Sequence, residues 1–167
     1  MTVENYEYYL GNTYYEGRPL KVNGKSRTTT SQICNIENSN GGTSWKVDLY
    51  PSLLENRTYN REIGLEWLQQ AEAEHASVAS FARHTLQLIS IEAPSDLLLA
   101  SQAASMDEIR HAKMCYGLTA AFTDREICPE IINIEGSLDD TDVKGIIQSI
   151  IQEGCIEETL SAIKGFF

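Results

Sequence analysis

The sequence predicts a mainly α fold, a bundle of long helices preceded by a short β-rich segment. Three observations predict it. The chain changes character near residue 60, from a stretch rich in Tyr, Thr, Asn and Gly to one of apolar residues at helical spacing. Beyond that point come three such runs, each long enough for a bundle helix. The breaks between them carry Pro, Gly and Ser or Asp at the positions where helices stop and start. Three helices of this length point to a bundle rather than to an α/β sheet. At 167 residues the chain is long enough for one domain with a core and hardly for two. It divides into a β/loop segment over 1–59 that packs on the bundle and a helical domain over 60–167.

In the first segment, "GRPLKVNGKSRTTT" predicts a hairpin, because Asn23-Gly24 suits a two-residue type I′ turn between short extended runs. "NSNGGTSWKVDLY" predicts a loop and then a strand ending before Pro51. Five of the eight tyrosines fall in the first fifteen residues, so this segment is expected to lie against something. The helices follow. The first spans about 60–91; "EAPS" then connects it to a second over about 95–123, with Ser95 the cap candidate after Pro94. A polar connector over 124–141 contains Pro129 and Gly136. The third run begins near Thr141–Asp142 and continues to the end of the sequence.

Composition narrows the function. With 24 acidic and 13 basic residues the formal charge is −11, which argues against binding a phosphate backbone. No run of about 18 apolar residues is present, so no membrane-spanning helix is expected. The start lacks the basic-then-apolar pattern of a signal peptide, and a cytoplasmic location is the default expectation. Four cysteines show no C-x-x-C pair. In a cytosolic chain they read as free thiols, with Cys115 and Cys155 small and buried.

The chemistry lies in acids that interrupt apolar stripes. On the second run, steps of three and four join Leu97, Ala104, Glu108, His111, Cys115, Leu118 and Phe122. Glu108 and His111 therefore share a face aimed at the core, where an unpaired carboxylate costs several kcal/mol unless it gains a cation, a partner or a proton. The neighbouring Arg110 and Lys113 point elsewhere. The first run places Glu74 in the stripe Ile63, Trp67, Ala71, Val78, Phe81, Leu88, with Glu72 on another stripe as the competing acid. The third run places Glu158 with Val143, Ile147, Ile151, Gly154 and Ala162. Glu157 falls with Glu153 and Lys164 on a wetter face, and is the alternative there. If the first two helices form a hairpin, and the connector crosses the bundle, all three acids stand within about one turn of the same height. Trp67 and Phe81 read as core, and Tyr116 is given no role.

"EHAS", "DEIRHA" and "GCIEET", in that order, resemble the ligand helices of the ferritin-like di-iron carboxylate bundles. Those use a Glu from each of two helices and a Glu-x-x-His from each of the other two. The resemblance covers roughly residues 60–160. It implies a ferritin-like bundle with Glu74, Glu108, His111 and Glu158 as metal ligands. Such a site would hold two Fe ions, or Mn, since carboxylate and imidazole donors suit those metals. The implied activity is an oxidase or oxygenase acting with O₂ or peroxide on an organic substrate, a small molecule or a peptide. Ferrous-iron oxidation or iron binding is an alternative, and so is a non-catalytic interaction or scaffold role. The second Glu-x-x-His is missing from this sequence, so a fourth helix is expected from another protein chain, either a distinct partner or a second copy.

Overall fold

The computed structural model describes residues 19–34, Trp45, 61–139 and 142–164. The tyrosine-rich start, the strand expected before Pro51 and the apolar tail lie outside the described residues. What is described is mainly helical.

Strands β1 (Leu20–Val22) and β2 (Lys25–Arg27) form the expected antiparallel hairpin, with Val22 opposite Lys25. Asn23 and Gly24 both have positive φ, 52° and 72°, the combination a type I′ turn demands. Strand β3 (Ser31–Ile33) pairs instead with β4 (Ile127–Pro129), which comes from the connector after the second helix. That pairing sets Gln32 opposite Cys128, and Cys34 N–H donates to Glu126 O at 2.9 Å. Cys34 and Cys128 are joined as a disulfide, with Cα atoms 5.4 Å apart. The expectation of four free thiols is thus corrected. The pair was hidden because 94 residues separate its halves and only the sheet brings them together.

Helices α1 (Arg61–Ser90) and α2 (Ser95–Thr123) form an antiparallel hairpin. They approach closely at one end, where a Cβ on Gly64 would lie 2.5 Å from Thr123 Cγ2. Near the other end the hydroxyls of Thr85 and Ser101 bond across the pair at 2.8 Å. The turn between them uses Glu92 in the left-handed region (φ 55°), with Ala93 N–H donating to Leu88 O at 3.0 Å. Ser95 is not the cap of α2: Pro94 holds that position with extended backbone, and no side chain caps the helix. The fixed φ of proline already suits this place, and its carbonyl accepts from Leu97 N–H at 3.0 Å. Asp124 ends α2 in the left-handed region and donates its N–H to Ala120 O.

The third run is broken in character. Asp142 caps α3 (Val143–Ser149) by accepting from Gly145 N–H at 3.0 Å. A π-helical stretch, Ile150–Glu157, follows, and then α4 (Glu158–Lys164). Glu153 reaches Ser80 and Glu158 acts on Glu74, so the third run travels antiparallel to α1, in the direction of α2. The face expected to be buried is not: Val143, Ile147 and Ile151 are each about half exposed, whereas Ile146 is fully buried. Glu153, expected on the wetter face, is also buried, and Cys155, expected to be buried, is exposed. The π stretch carries one extra residue per hydrogen-bonded turn and rotates the faces that an α-helix would present.

The core joins helix to sheet. Ala71, Cys115, Tyr116 and Ile127 are buried together, with Trp45, Trp67 and Leu68 packed against them. Tyr116 is the largest fully buried side chain. Among the described residues no helix is long and apolar enough to cross a membrane.

Candidate metal centre

The α1–α2 hairpin brings Glu74, Glu108 and His111 together. Their donor atoms lie within 4.8 Å of one another, and the group can hold a metal ion. His111 Nδ1 is 3.6 Å from Glu74 Oε2 and 3.8 Å from Glu108 Oε2. The two carboxyls share a hydrogen bond. The spacing Glu108-x-x-His111 is one helical turn, which is why both reach the same α1 residue across the interface.

The burial of these groups is uneven. Both glutamates are mostly buried, but the His111 side chain is 54% exposed. Burial raises the pKa of Glu74 above the ordinary carboxylate value; the hydrogen bond with Glu108 lowers it, and the charge of Glu158 raises it. Two carboxyls in contact in a half-dry site cannot both stay ionised without compensation. A shared proton is one solution and a cation is another. The donor set, two carboxylates and an imidazole, fits a hard or borderline cation such as Fe²⁺ or Mn²⁺.

Glu158 is not within that three-donor group, but it is close enough for its charge to act on Glu74. Glu157 is turned to Lys21, with which it forms an ion pair, and it accepts from Gln152 Nε2 at 3.0 Å. Of these two acids, Glu158 is the one the fold places toward the cluster. Glu72 leaves the cluster altogether. It hydrogen-bonds Ser31 on β3, and burial, followed by the charge of Glu130, keeps its pKa up at about 7 against the lowering effect of that bond. Ser31 Oγ also lies 3.2 Å from Tyr116 Oη. Alternation along α1 therefore sends Glu74 to the metal side and Glu72 to the sheet side.

Cys115, one turn beyond His111, is a free buried thiol, not a member of the donor group. Burial, with the Glu74 charge adding, pushes its pKa up to about 12, so it stays protonated and inert at neutral pH. Arg110 pairs with Asp107 on the exposed side of α2, leaving the cluster without a basic neighbour from that helix turn.

Sequence reasoning missed a second buried ionic group. Arg83 pairs with Glu153 of the π stretch, and both are about nine-tenths buried. The same guanidinium donates to Ser80 Oγ and to the Lys21 carbonyl. The only signal in the sequence was an arginine at an otherwise apolar position of α1. A further buried group is His75, whose ring meets Trp45 edge-on at 5.0 Å. Burial lowers its pKa and leaves Nδ1 without a hydrogen-bond partner.

No known protein family matches this chain, and no curated protein or solved structure is significantly similar to it.

Proposed function

We propose that the chain is a metal-dependent oxidoreductase subunit of ferritin-like type, binding two Fe ions, or Mn, through Glu74, Glu108, His111 and Glu158. The observation that carries this reading is the contact between two largely buried carboxyls with an imidazole beside them. Glu74 and Glu108, facing each other across the helix pair, would hold a cation whose charge offsets their mutual repulsion. When bound, iron supplies the electrons for reducing O₂ or peroxide at the expense of an organic substrate. The chain's own residues deprotonate and hold that charge. Glu74 and Glu108 provide anionic oxygens from facing helices, and His111 provides a nitrogen at the open edge, where a small molecule or peptide can approach. Ala71, Cys115 and the surrounding core exclude water from the closed side.

The exposed side of His111 is also where the ligand set is incomplete. A further helix carrying a second Glu-x-x-His, contributed by another protein chain, would cover this edge and the half-exposed Leu97 on the same α2 face. The bound disulfide bears on location: cytosolic thiols are kept reduced, so Cys34–Cys128 fits an oxidising compartment better than the cytoplasm expected from the sequence.

The test is metal uptake. Wild-type protein should bind Mn²⁺ or Fe²⁺ in competition with protons, because burial raises the pKa of Glu74 and the metal takes its deprotonated form. Binding should weaken as pH falls. Glu108→Ala should lose metal while retaining helical content and melting temperature, within about 1 kcal/mol. Unchanged metal content in that variant would remove the assignment. Protein that folds and pairs with a helical partner but takes up no metal under any condition would favour the scaffold reading, to which the half-exposed apolar side chains of α2 and α3 also lend themselves.

A further inference from the structure

We propose that the buried Arg83–Glu153 pair is a positioning device for the metal site, fixing the π-helical register that delivers Glu158 to Glu74; this rests on the metal reading above. Glu153 contacts α1, and Glu158 lies near enough to that helix for its charge to act on Glu74. The first reaches Ser80, 3.2 Å from its hydroxyl, and Arg83; the second acts on Glu74. Residues five apart on an α-helix point about 140° away from each other, so an ordinary helix could send only one of them to α1. In a π-helix the i→i+5 bond brings residues five apart onto the same side of the helix. The π stretch Ile150–Glu157 covers that interval as far as Glu157, and Glu158 opens α4.

A π-helix has poorer intrinsic stability than an α-helix and persists where tertiary contacts hold it. Two ion pairs do so here. Arg83 grips Glu153 near the middle of the stretch, and Lys21 of β1 grips Glu157 at its end. The two are themselves joined, since Arg83 donates to the Lys21 carbonyl. Glu157 is thereby held toward β1, and the next residue, Glu158, is turned to the cluster. Arg83 touches no donor of the metal group; it acts through Glu153 and the helix register.

The experiment has a metal-free arm and a metal arm, both on the full chain. In the first, Glu74→Cys and Glu158→Cys are introduced together with Cys115→Ser and Cys155→Ser, and the metal-free protein is treated with a short bis-maleimide. Efficient cross-linking between positions 74 and 158 is expected. Adding Arg83→Met and Glu153→Leu, which exchanges the ion pair for apolar packing and so protects the fold, should abolish it. In the second arm, the Arg83→Met/Glu153→Leu protein should bind Mn²⁺ about 10–100-fold more weakly than wild type, the usual cost of losing a group that orients a ligand, with its melting temperature held. A chain in which Cys155 is deleted offers an independent check, because Glu153 and Glu158 become four apart and align on a plain α-helix. It should cross-link and bind Mn²⁺ as wild type does. Cross-linking and affinity unaffected by loss of the pair would overturn the proposal, as would their loss in the deletion. Absence of Mn²⁺ binding in wild type would instead defeat the metal reading, and the cross-linking arm would then decide the register alone.

Discussion

Glu72 and Glu74 are two residues apart on one helix and meet different chemistry. Glu74 faces Glu108 and His111, whereas Glu72 faces Ser31 and Tyr116. A carboxyl held near pKa 7 against an ordinary value of 4.5 binds more protons folded than unfolded between those pH values. Its contribution to stability is therefore present below about 4.5 and lost as pH rises through 7. The loss is at most about 3.5 kcal/mol, since each pKa unit is worth about 1.4 kcal/mol. Glu72→Gln should flatten the urea midpoint between pH 5 and 8 and raise it at the upper end. A Glu72→Gln midpoint with the same pH slope as wild type would contradict the burial of Glu72. The cysteines separate just as sharply. Iodoacetamide at pH 8 should label exposed Cys155 in native protein and spare Cys115, whose thiol lies near pKa 12. Labelling read by peptide mass would show equal modification if the buried position were wrong.

At the level of elements, the hairpin β1–β2 and the helices α1 and α2 were legible because each rests on neighbours in sequence. Asn23-Gly24 encodes its own turn, and the Glu-x-x-His spacing encodes its own face. The pairing of β3 with β4 was not legible. Neither strand exceeds three residues, and each takes its order from a partner about a hundred residues away. The Cys34–Cys128 bridge makes that contact permanent. Closing a loop of 94 residues stabilises a fold by roughly 2–5 kcal/mol. Reduction with dithiothreitol, or Cys34→Ser with Cys128→Ser, should lower the melting temperature and loosen the sheet against Tyr116. Metal affinity should change far less, because the cluster sits on the other side of α1. A melting curve unmoved by reductant would show the bridge to be absent in solution.

In the whole molecule, α2 and the third run both leave apolar residues uncovered. Leu97 on α2, and Val143, Ile147 and Ile151 at successive turns of the third run, are each about half exposed. Exposed apolar residues in this number are what an interface between chains would use. The isolated chain should self-associate, measured by sedimentation, and Ile147→Lys should shift it toward monomer. A wild-type chain already monomeric at tens of micromolar would argue that these side chains need no cover.

The sequence by itself determined the helical class, the hairpin turn and the polar residues that interrupt apolar stripes, among them Glu74, Glu108 and His111. All of these depend on periodicity and local backbone preference, which act over a few residues. Tertiary structure decided the rest. It joined Cys34 to Cys128, sent Glu72 to the sheet, buried Glu153 against Arg83 and set a π-helical stretch, Ile150–Glu157, in the third run, with Val143 and Ile147 of α3 left half exposed. Each of those outcomes is set by a partner far away in the chain. A charge is buried only where its counter-ion waits, and a helix departs from α geometry only where distant contacts hold it.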